Sequence, residues 1–339
     1  MEIKHYIAQA VTEKSQAAEA RRHAASLAGI LNLSRKDASN VAIIVTELAM
    51  NLAKHTTGGE LLLHQLRHKT AVGVEVIALD KGPGMANIGQ CLSDGYSSTG
   101  SPGTGLGAVQ RLSTLFDVLS VPQLGTVVLV RYWSDPKVER SSTGGFHVGA
   151  VSIPKPGESF SGDSWTIELT GNRAKFLLVD GLGHGQLAAD ASNAAIRAFH
   201  KISQEGSANV LTAINKALHG TRGAAVAVTE IEQLAGILRF AGIGNISSCI
   251  WTRDGIKKMV SLHGIVGADV RKIQEFSHPW SNQAILLMHS DGLHNRYVFE
   301  KYPGIMNRHP GIIAGVFYRD NNRGSDDSTV LVARAKTGT

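Results

Sequence analysis

Hydrophobic positions along the first half of the chain change from a helical period to short strand-like runs. Alanine-rich segments with a period near 3.6 predict helices over about residues 13–31 and 35–54. Short runs of β-branched and apolar residues then predict strands at about 61–66, 72–79 and 125–133. The first half is therefore expected to form two helices followed by a sheet.

Strand patterns dominate the second half. Two alanine-rich helical segments, about 186–203 and 208–218, interrupt them. The predicted strands lie at 148–153, 165–169, 175–179, 224–231, 237–241 and 284–288. Strands, paired helices and further strands predict an α+β sandwich with helices outside the sheets.

A polar stretch separates the two patterns. Residues 134–144 contain Pro, Ser and paired Gly but no hydrophobic period, so they are expected to form a linker. The linker divides the chain into a first domain at 1–133 and a second at 145–339. A length of 339 residues fits two domains.

Composition and charge narrow the classes of function. The hydrophobic fraction of 43% and the charged fraction of 18% are ordinary for a soluble globular protein. The net charge is +6, but Lys and Arg are scattered, so nucleic-acid binding is not expected. Cys91 and Cys249 lie too far apart in sequence to signal a disulfide framework or a zinc site. With no signal peptide and no apolar stretch near the ~20 residues that span a bilayer, we expect a cytoplasmic protein that does not bind membranes.

The second predicted helix carries the first candidate chemistry. Glu47 and Asn51 are four residues apart and project from one helix face. A carboxylate can deprotonate an attacking hydroxyl, an Asn carbonyl can coordinate Mg²⁺, and Lys54 at the helix end can approach phosphate oxygens. Taken alone, such residues are more often simply the solvated face of a helix.

Two glycine-rich turns follow. Asp80 ends a predicted strand before Gly82 and Gly84, and its carboxylate can accept a hydrogen bond from an exocyclic amine such as that of adenine. A tight turn is the alternative interpretation. Later, residues 95–107 form a Gly/Ser loop that opens into a helical segment at 108–115, and free N–H groups at a helix start suit a triphosphate. The candidate residues of this loop are Gly103, Thr104, Gly105, Leu106 and Gly107. One such glycine motif is weak evidence.

The order of these motifs is more specific than any one of them. ELAMNLAKH, DKGPGM, GTGLG and the later Gly125-Thr126 pair resemble the N, G1 and G2 boxes and the closing Gly-Thr of the GHKL ATPase/kinase superfamily, over about residues 1–133. The segment DGYSSTGSPGTGLGAVQRL resembles RsbT-type serine/threonine kinases, which act as anti-sigma factors or stressosome switch kinases. No phosphoacceptor helix containing His precedes these motifs, which argues against a two-component histidine kinase.

The GHKL resemblance implies a Bergerat ATP pocket. In it Asp80 would bind adenine, Asn51 would bind Mg²⁺ and Glu47 would serve as the base. Thr126 would reach adenine through water, and residues 95–107 would form the lid.

The second half places carboxylates at the ends of predicted strands. They are Asp163, Asp180, Asp291, Asp326 and Asp327. Two Mg²⁺ or Mn²⁺ ions sharing one bridging carboxylate could activate a water for attack on phosphorus. Individually, the Asp-Gly pairs are more often turns than ligands. His184 could act as a general acid, but packing within its Gly-rich turn is the stronger interpretation.

The serial arrangement GD, VDGLGHG, HSDGL and DDSTV resembles the SpoIIE and RsbX branch of the PPM-type serine/threonine phosphatases, over about residues 145–336. The resemblance implies an αββα sandwich in which catalytic Asp180 bridges two metals and the Gly181 carbonyl is a further ligand. Asp163, Asp291 and Asp326 would complete the shells, with Asp327 as the alternative to Asp326. The first motif, SGDSW, departs from the branch, and Arg140 is the candidate phosphate-binding arginine.

Together the resemblances imply a bifunctional regulator in a bacterial partner-switching pathway: an ATP-dependent serine/threonine kinase joined to a metal-dependent phosphatase. The implied substrate is a STAS-domain anti-sigma antagonist or a stressosome-type protein. A sigma factor, a second phosphatase or a second copy of the chain are further candidate partners. One alternative is a phosphatase gated by a non-catalytic module that binds ATP and a partner. An ATPase with a structural second domain is disfavoured, because a structural sheet does not need carboxylates at its strand ends.

Overall fold

The chain divides into two units, and the division is not contiguous along the sequence. The computed structural model describes residues 6–68, 70–92, 105–141, 145–268 and 270–336. One unit comprises residues 1–142 together with Val298–Arg319, and the other comprises residues 143–297 and 320–339. The domain boundaries at 133 and 145 stay a prediction. The structure adds that Val298–Arg319, from the second half of the sequence, belongs to the first unit.

The first unit is built on a five-stranded antiparallel sheet. Its order is β1 (Ile7–Val11), β2 (Gly59–His68), β3 (Ala71–Asp80), β5 (Gly125–Trp133) and β4 (Leu115–Val121). The three predicted strands are confirmed as β2, β3 and β5. The prediction missed β1 and β4, and the helix predicted to reach residue 115 ends earlier. The helices of this part are α1 (Ser15–Ile30), α2 (Arg35–His55), α3 (Ile88–Leu92), α4 (Gly105–Leu112) and α5 (Lys137–Ser141).

Helices cover one face of this sheet. The helix α2 begins after Ser34, whose hydroxyl oxygen accepts the N–H of Asp37. Alternate strand residues meet the helices in one apolar core. The helical members of this core include Ala20, Ala24, Val41, Val45 and Leu48, and the strand members include Leu61, Leu63, Val74, Val76, Val128 and Val130.

The other face of the sheet is covered by Val298–Arg319, which we call the docking segment. It contains 3-10 turns at Phe299–Lys301 and Ile305–Asn307 and most of helix α8 (Pro310–Asn321). A Cβ added at Gly315 would lie 3.0 Å from a methyl of Val127, and one at Gly311 would lie 2.8 Å from Leu129. The two glycines therefore let the helix approach the sheet closely.

A buried charged cluster lies on the same face of the sheet as the docking segment. Arg131 Nε lies 2.5 Å from Glu75 Oε2, and Arg131 Nη1 lies 3.2 Å from Glu139 Oε1. Tyr6 donates its hydroxyl hydrogen to Glu75, and Trp133 Nε1 donates to Glu139 Oε2 at 2.6 Å. Glu139 belongs to α5, so the stretch predicted as a linker contains a short helix that is tied to the sheet.

The second unit contains two five-stranded antiparallel sheets. One has the order β13 (Phe276–Pro279), β10 (Ile237–Ile243), β9 (Ala224–Glu232), β8 (Arg173–Gly181) and β7 (Asp163–Thr170). The other has the order β12 (Gly255–Lys258), β11 (Ser247–Thr252), β14 (Ile285–His289), β15 (Ser328–Ala335) and β6 (Phe146–Ile153). Contacts between the sheets include the rings of Phe146 and Phe176, whose centroids are 6.0 Å apart. Helices α6 (Gln186–Ile202) and α7 (Ser207–Ala217) pack against the first of these sheets.

All the strands predicted in the second unit are confirmed, and so are both helices. The prediction missed β11, β12 and β13. Among the helices of the described part of the chain, none is long and apolar enough to cross a bilayer.

Removal of Arg131 tests the buried charged cluster. We expect Arg131→Met to lower the free energy of unfolding by about 3–5 kcal/mol, because Glu75 is left buried and charged without its cation. Arg131→Met combined with Glu75→Leu should recover much of this loss. Urea unfolding of the full chain, read at the earliest transition, measures both. Equal destabilisation of the single and double variants would contradict the assignment of Glu75 as the uncompensated charge.

Candidate functional site

The end of β3 forms an oriented carboxylate in the first unit. Asp80 Oδ1 accepts the N–H of Gly82 at 2.7 Å and the N–H of Thr126 at 3.2 Å. Burial raises the pKa of Asp80, while these two hydrogen bonds and the positive charge of Arg319 oppose the rise. The structure thus brings together three of the residues predicted to surround adenine.

Close backbone contacts fix the turns around this carboxylate. Gly84 has φ +70°, and a Cβ there would lie 2.3 Å from the carbonyl oxygen of Val121. Gly125 has φ +88°, and its Cβ would lie 2.1 Å from the carbonyl oxygen of Asp80. Only glycine fits at both positions. The turns around the predicted adenine site are therefore held by close backbone contacts that leave no room for a side chain at these two positions.

A second group of predicted residues meets where α4 begins. A Cβ placed on Gly105 would lie 3.5 Å from Glu47 Oε2 and 3.6 Å from Asn51 Oδ1. The oxygen atoms of Glu47 and Asn51 therefore face the start of the helix that follows the Gly/Ser loop. These are the hard oxygen donors that Mg²⁺ takes, and they fit the predicted ion.

The remaining predicted residues of this pocket have mixed outcomes. Lys54 is exposed at the end of α2, Leu106 packs against the helix-side core and Gly107 is buried. Gly103 and Thr104, like the rest of residues 93–104, lie outside the described residues.

In the second unit, strand pairing gathers two of the predicted metal ligands. Asp163 begins β7 and is paired in register with Asp180 at the end of β8. Gly181 donates its N–H to the carbonyl oxygen of Gly162 at 3.1 Å, which holds the two strand ends together. In the other sheet, β14 is followed by Ser290 and then by Asp291. The strand next to β14 in that sheet is β15.

The predicted metal-binding carboxylates at these strand ends repel one another. Burial and then the negative charges of Asp163, Asp291, Asp326 and Asp327 raise the pKa of Asp180 well above its ordinary value. Burial also raises the pKa of Asp163 and of Asp291. Among the described residues, no three Asp, Glu, His or Cys side chains converge into a complete ligand set.

Asp163 has one carboxylate oxygen that is hydrogen-bonded and, within the described part of the chain, one that is not. Its Oδ2 accepts the hydroxyl hydrogen of Ser290 at 2.6 Å. Its Oδ1 is buried without a hydrogen-bond partner among the described residues. A buried unpaired carboxylate oxygen is costly, and a divalent cation satisfies it. The donor set therefore fits hard divalent ions.

The two neighbouring acids before β15 differ in their surroundings. Asp327 Oδ1 accepts the N–H of Lys155 at 2.8 Å, and its Oδ2 accepts the N–H of Gly162 at 2.8 Å. Asp327 is buried, whereas Asp326 is half-buried and accepts the N–H of Asp327 at 2.9 Å. Asp327 thus clamps the loop that precedes Asp163, which leaves Asp326 as the better candidate ligand.

His184 is engaged by a residue that the sequence did not single out. Its Nδ1 lies 2.6 Å from Glu158 Oε1, and both side chains are partly exposed. This hydrogen-bond contact supports a role for His184 in holding its Gly-rich turn.

Sequence reasoning also missed Arg222. Its Nη1 would lie 2.9 Å from a Cβ on Gly183, so the guanidinium lies against the turn that follows Asp180. Arg222 is exposed and has no carboxylate within ion-pair distance among the described residues. The loop of Arg222 meets the loop of Gly183 through a hydrogen bond from the N–H of Leu182 to the carbonyl oxygen of Gly223. This contact is between residues distant in sequence, so no local motif identifies Arg222. The side chain of Arg140, the arginine chosen from sequence, lies outside what the structure describes.

Comparison with known proteins finds a different family in each half of the chain. Residues 10–132 match the family described as "Histidine kinase-like ATPase domain" and residues 170–336 match "Stage II sporulation protein E (SpoIIE)". The serine/threonine-protein kinase RsbT of Bacillus subtilis is 31% identical over 114 residues, which are 34% of this chain and 86% of RsbT. The chain belongs to the histidine kinase-like ATPase family and carries a SpoIIE-type phosphatase domain.

One further relative and one solved structure are also similar to the chain. The phosphoserine phosphatase RsbX of Bacillus subtilis is 22% identical over 142 residues, which are 42% of this chain and 71% of RsbX. A solved structure described as "The bacterial stressosome: a modular system that has been adapted to control secondary messenger signaling" has a TM-score of 0.52 and 25% identity, and covers 56% of this chain and 99% of its own. The predicted GHKL-like fold joined to a PPM-type phosphatase fold is confirmed, and the chain is a partner-switching regulator with kinase-like and phosphatase domains.

Paired variants separate a metal ligand from a loop clamp. We expect Asp326→Asn to weaken Mn²⁺ affinity by more than about tenfold with little change in stability. We expect Asp327→Asn to lower the free energy of unfolding by about 1–3 kcal/mol, since an amide cannot accept both backbone N–H groups. Calorimetric Mn²⁺ titration and urea unfolding measure the two effects. Lost Mn²⁺ binding with unchanged stability in Asp327→Asn would reverse the assignment.

Proposed function

We propose that the second unit removes phosphate from phosphoserine or phosphothreonine of a partner protein and that the first unit transfers phosphate from ATP to the same partner. The observation that carries the proposal is the edge at Asp163 and Asp180, where like charges are gathered and one carboxylate oxygen is buried unpaired. An edge of this kind is built to bind cations.

For the phosphatase, Asp180, the Gly181 carbonyl, Asp163, Asp291 and Asp326 would hold two Mg²⁺ or Mn²⁺ ions. When bound, such ions supply an activated water and neutralise phosphate charge. Catalytic Asp180 would be the ligand shared by the two ions, because it is paired in register with Asp163 and the charges of Asp291, Asp326 and Asp327 also act on it.

Three residues of the chain would support this centre without touching the reacting atoms. Ser290 orients Asp163 through its hydroxyl group. Asn245 Nδ2 donates to Asp291 Oδ2 at 2.8 Å, which fixes that carboxylate. Burial lowers the pKa of His289 to about 4, so a neutral imidazole bonded to Asn295 and Tyr297 supports the strand end before Asp291.

For the kinase, Asp80 would accept the exocyclic amine of adenine, and Asn51 would hold Mg²⁺. Glu47 would take the proton of the attacking serine hydroxyl, for which its position beside Asn51 and Gly105 is suitable. Lys54 would approach the phosphates at the helix end. The Gly-rich residues before α4 would close over the triphosphate.

For the partner, the relatives point to partner-switching proteins, and we propose a STAS-domain anti-sigma antagonist or stressosome-type protein in the cytoplasm. The kinship with RsbT and RsbX supports this choice. A second reading, a phosphatase gated by an ATP-binding module without kinase activity, is favoured if Glu47 proves dispensable.

Intact-mass analysis tests both activities together. A STAS-domain protein encoded near this gene is incubated with Mg-ATP and wild type, Asn51→Ala or Asp291→Ala. We expect one added phosphate with Asp291→Ala, less with wild type and none with Asn51→Ala, because each variant removes a ligand of one centre. No phosphate with any variant, while wild type strips a phosphorylated partner, would favour the gated phosphatase instead.

Arg222 is the proposed phosphate anchor of the phosphatase. We expect Arg222→Ala to raise KM for the phosphorylated partner about tenfold or more, since a charge-assisted hydrogen bond to phosphate is lost. Arg222→Lys should retain part of the binding. Steady-state kinetics measure the effect, and Arg253→Ala, which removes an exposed arginine from the β11–β12 turn, is the matched control. Equal KM values for all four proteins would exclude Arg222 from substrate binding.

A further inference from the structure

The docking segment is held to the first unit by polar contacts at its middle and at its last residue. At its middle, Arg308 Nη1 lies 3.2 Å from Asp117 Oδ1, and the backbone N–H of His309 donates to Asp117 Oδ2 at 2.7 Å. Asp117 is a β4 residue on the same sheet face as Leu129. The segment is therefore fixed in one position along the sheet.

At its last residue, Arg319, the segment contacts Asp80 of the proposed adenine site. Arg319 Nη1 donates to the backbone carbonyl oxygen of Asp80 at 2.8 Å, and Arg319 Nη2 donates to Tyr302 Oη at 2.8 Å. The guanidinium also lies over the Tyr302 ring, 5.5 Å from its centroid. Arg319 is thus oriented within the segment before it meets the residue whose carboxylate would bind adenine.

Helix α8 continues past Arg319 into the second unit. Two residues later, the carbonyl oxygen of Asn321 accepts the N–H of His294 at 2.9 Å. Arg323 donates its N–H to the carbonyl oxygen of Gly292 at 3.1 Å, beside Asp291. The chain then reaches Asp326. The stretch from Arg319 to Arg323 is therefore hydrogen-bonded both to Asp80 and to the loop that carries Asp291, a proposed metal ligand.

We propose that Arg319 is a positioning residue of the nucleotide pocket and that α8 makes phosphatase activity depend on nucleotide occupancy. This inference rests on the proposed function. Adenine on the Asp80 carboxylate changes the freedom of the backbone to which Arg319 is bonded. Because α8 is a helix, a shift or stiffening at Arg319 is transmitted to Asn321 without an intervening loop. The coupling is reciprocal, so occupancy of the metal centre also alters nucleotide affinity.

The test uses the full chain with ADP, which occupies the pocket without supplying a phosphoryl group. ADP affinity is measured by calorimetry with Mg²⁺, and phosphatase rate is measured on p-nitrophenyl phosphate with Mn²⁺, with and without saturating ADP. We expect ADP to change the wild-type rate about fivefold or more. Arg319→Gln should bind ADP about tenfold more weakly, the loss of one charge-assisted hydrogen bond. At saturating ADP its phosphatase rate should no longer respond.

Two variants control for loss of charge and for loss of folding. Lys301→Gln removes an exposed cation from the same segment and should behave as wild type in both measurements. Arg319→Lys keeps one donor and should restore part of the ADP response. Hydrogen–deuterium exchange of wild type provides a readout that needs no variant: ADP should change the exchange of a peptide spanning 320–327.

The failures are distinguishable. ADP binding with an unchanged phosphatase rate and unchanged exchange at 320–327 would overturn the coupling and leave the ATP pocket standing. An ADP response in Arg319→Gln equal to that of wild type would overturn the role of Arg319. Absence of ADP binding in wild type would overturn the proposed pocket and this inference together.

Discussion

A sheet that is apolar on both faces must be covered on both faces, and the organisation of this chain depends on that constraint. β3 and β5 are buried along almost their whole length, so one layer of helices leaves Ile77, Leu79, Val127 and Leu129 without cover. A free apolar face of this size is unfavourable in water. The chain meets the requirement with the docking segment, which is drawn from the sequence between Asp291 and Asp326. As a result, the first unit, which contains the histidine kinase-like ATPase domain, also contains part of the sequence that matches SpoIIE.

The two candidate sites differ in how the oxygen atoms of their buried carboxylates are hydrogen-bonded. Asp80 is satisfied through one oxygen by two backbone N–H groups, which holds it ready for a neutral hydrogen-bonding ligand. Asp163 has one oxygen satisfied by Ser290 and the other unpaired among the described residues, and it faces further carboxylates. A bound cation would neutralise that arrangement. The difference in local hydrogen bonding therefore distinguishes the proposed adenine site from the proposed metal site more clearly than the Asp-Gly motifs do.

The sequence predicted the elements whose hydrophobic period is clear and failed where tertiary contacts decide the structure. α1, α2, α6 and α7 have one apolar stripe each, and the central strands have dense apolar runs, so pattern identified them. α8 is buried along most of its length and lacks a polar face in its first turns, so no helical period is visible. The candidate carboxylates could be predicted because they stand in turn motifs at strand ends. Arg222 and Arg319 could not, because their partners, Gly183 and Asp80, are distant in sequence.

A kinase and a phosphatase acting on one residue of one partner together hydrolyse ATP without changing the partner. Such a chain is useful only if the two activities are favoured in different states, and a ligand shifts states only by as much as its affinities for them differ. A flexible linker between independent domains supplies no such difference, because neither domain senses what the other has bound. A helix that is bonded to Asp80 at Arg319 and to the Asp291 loop at Asn321 does supply it. The excursion of Val298–Arg319 into the first unit is therefore the feature through which the proposed kinase and phosphatase activities would be favoured in different states.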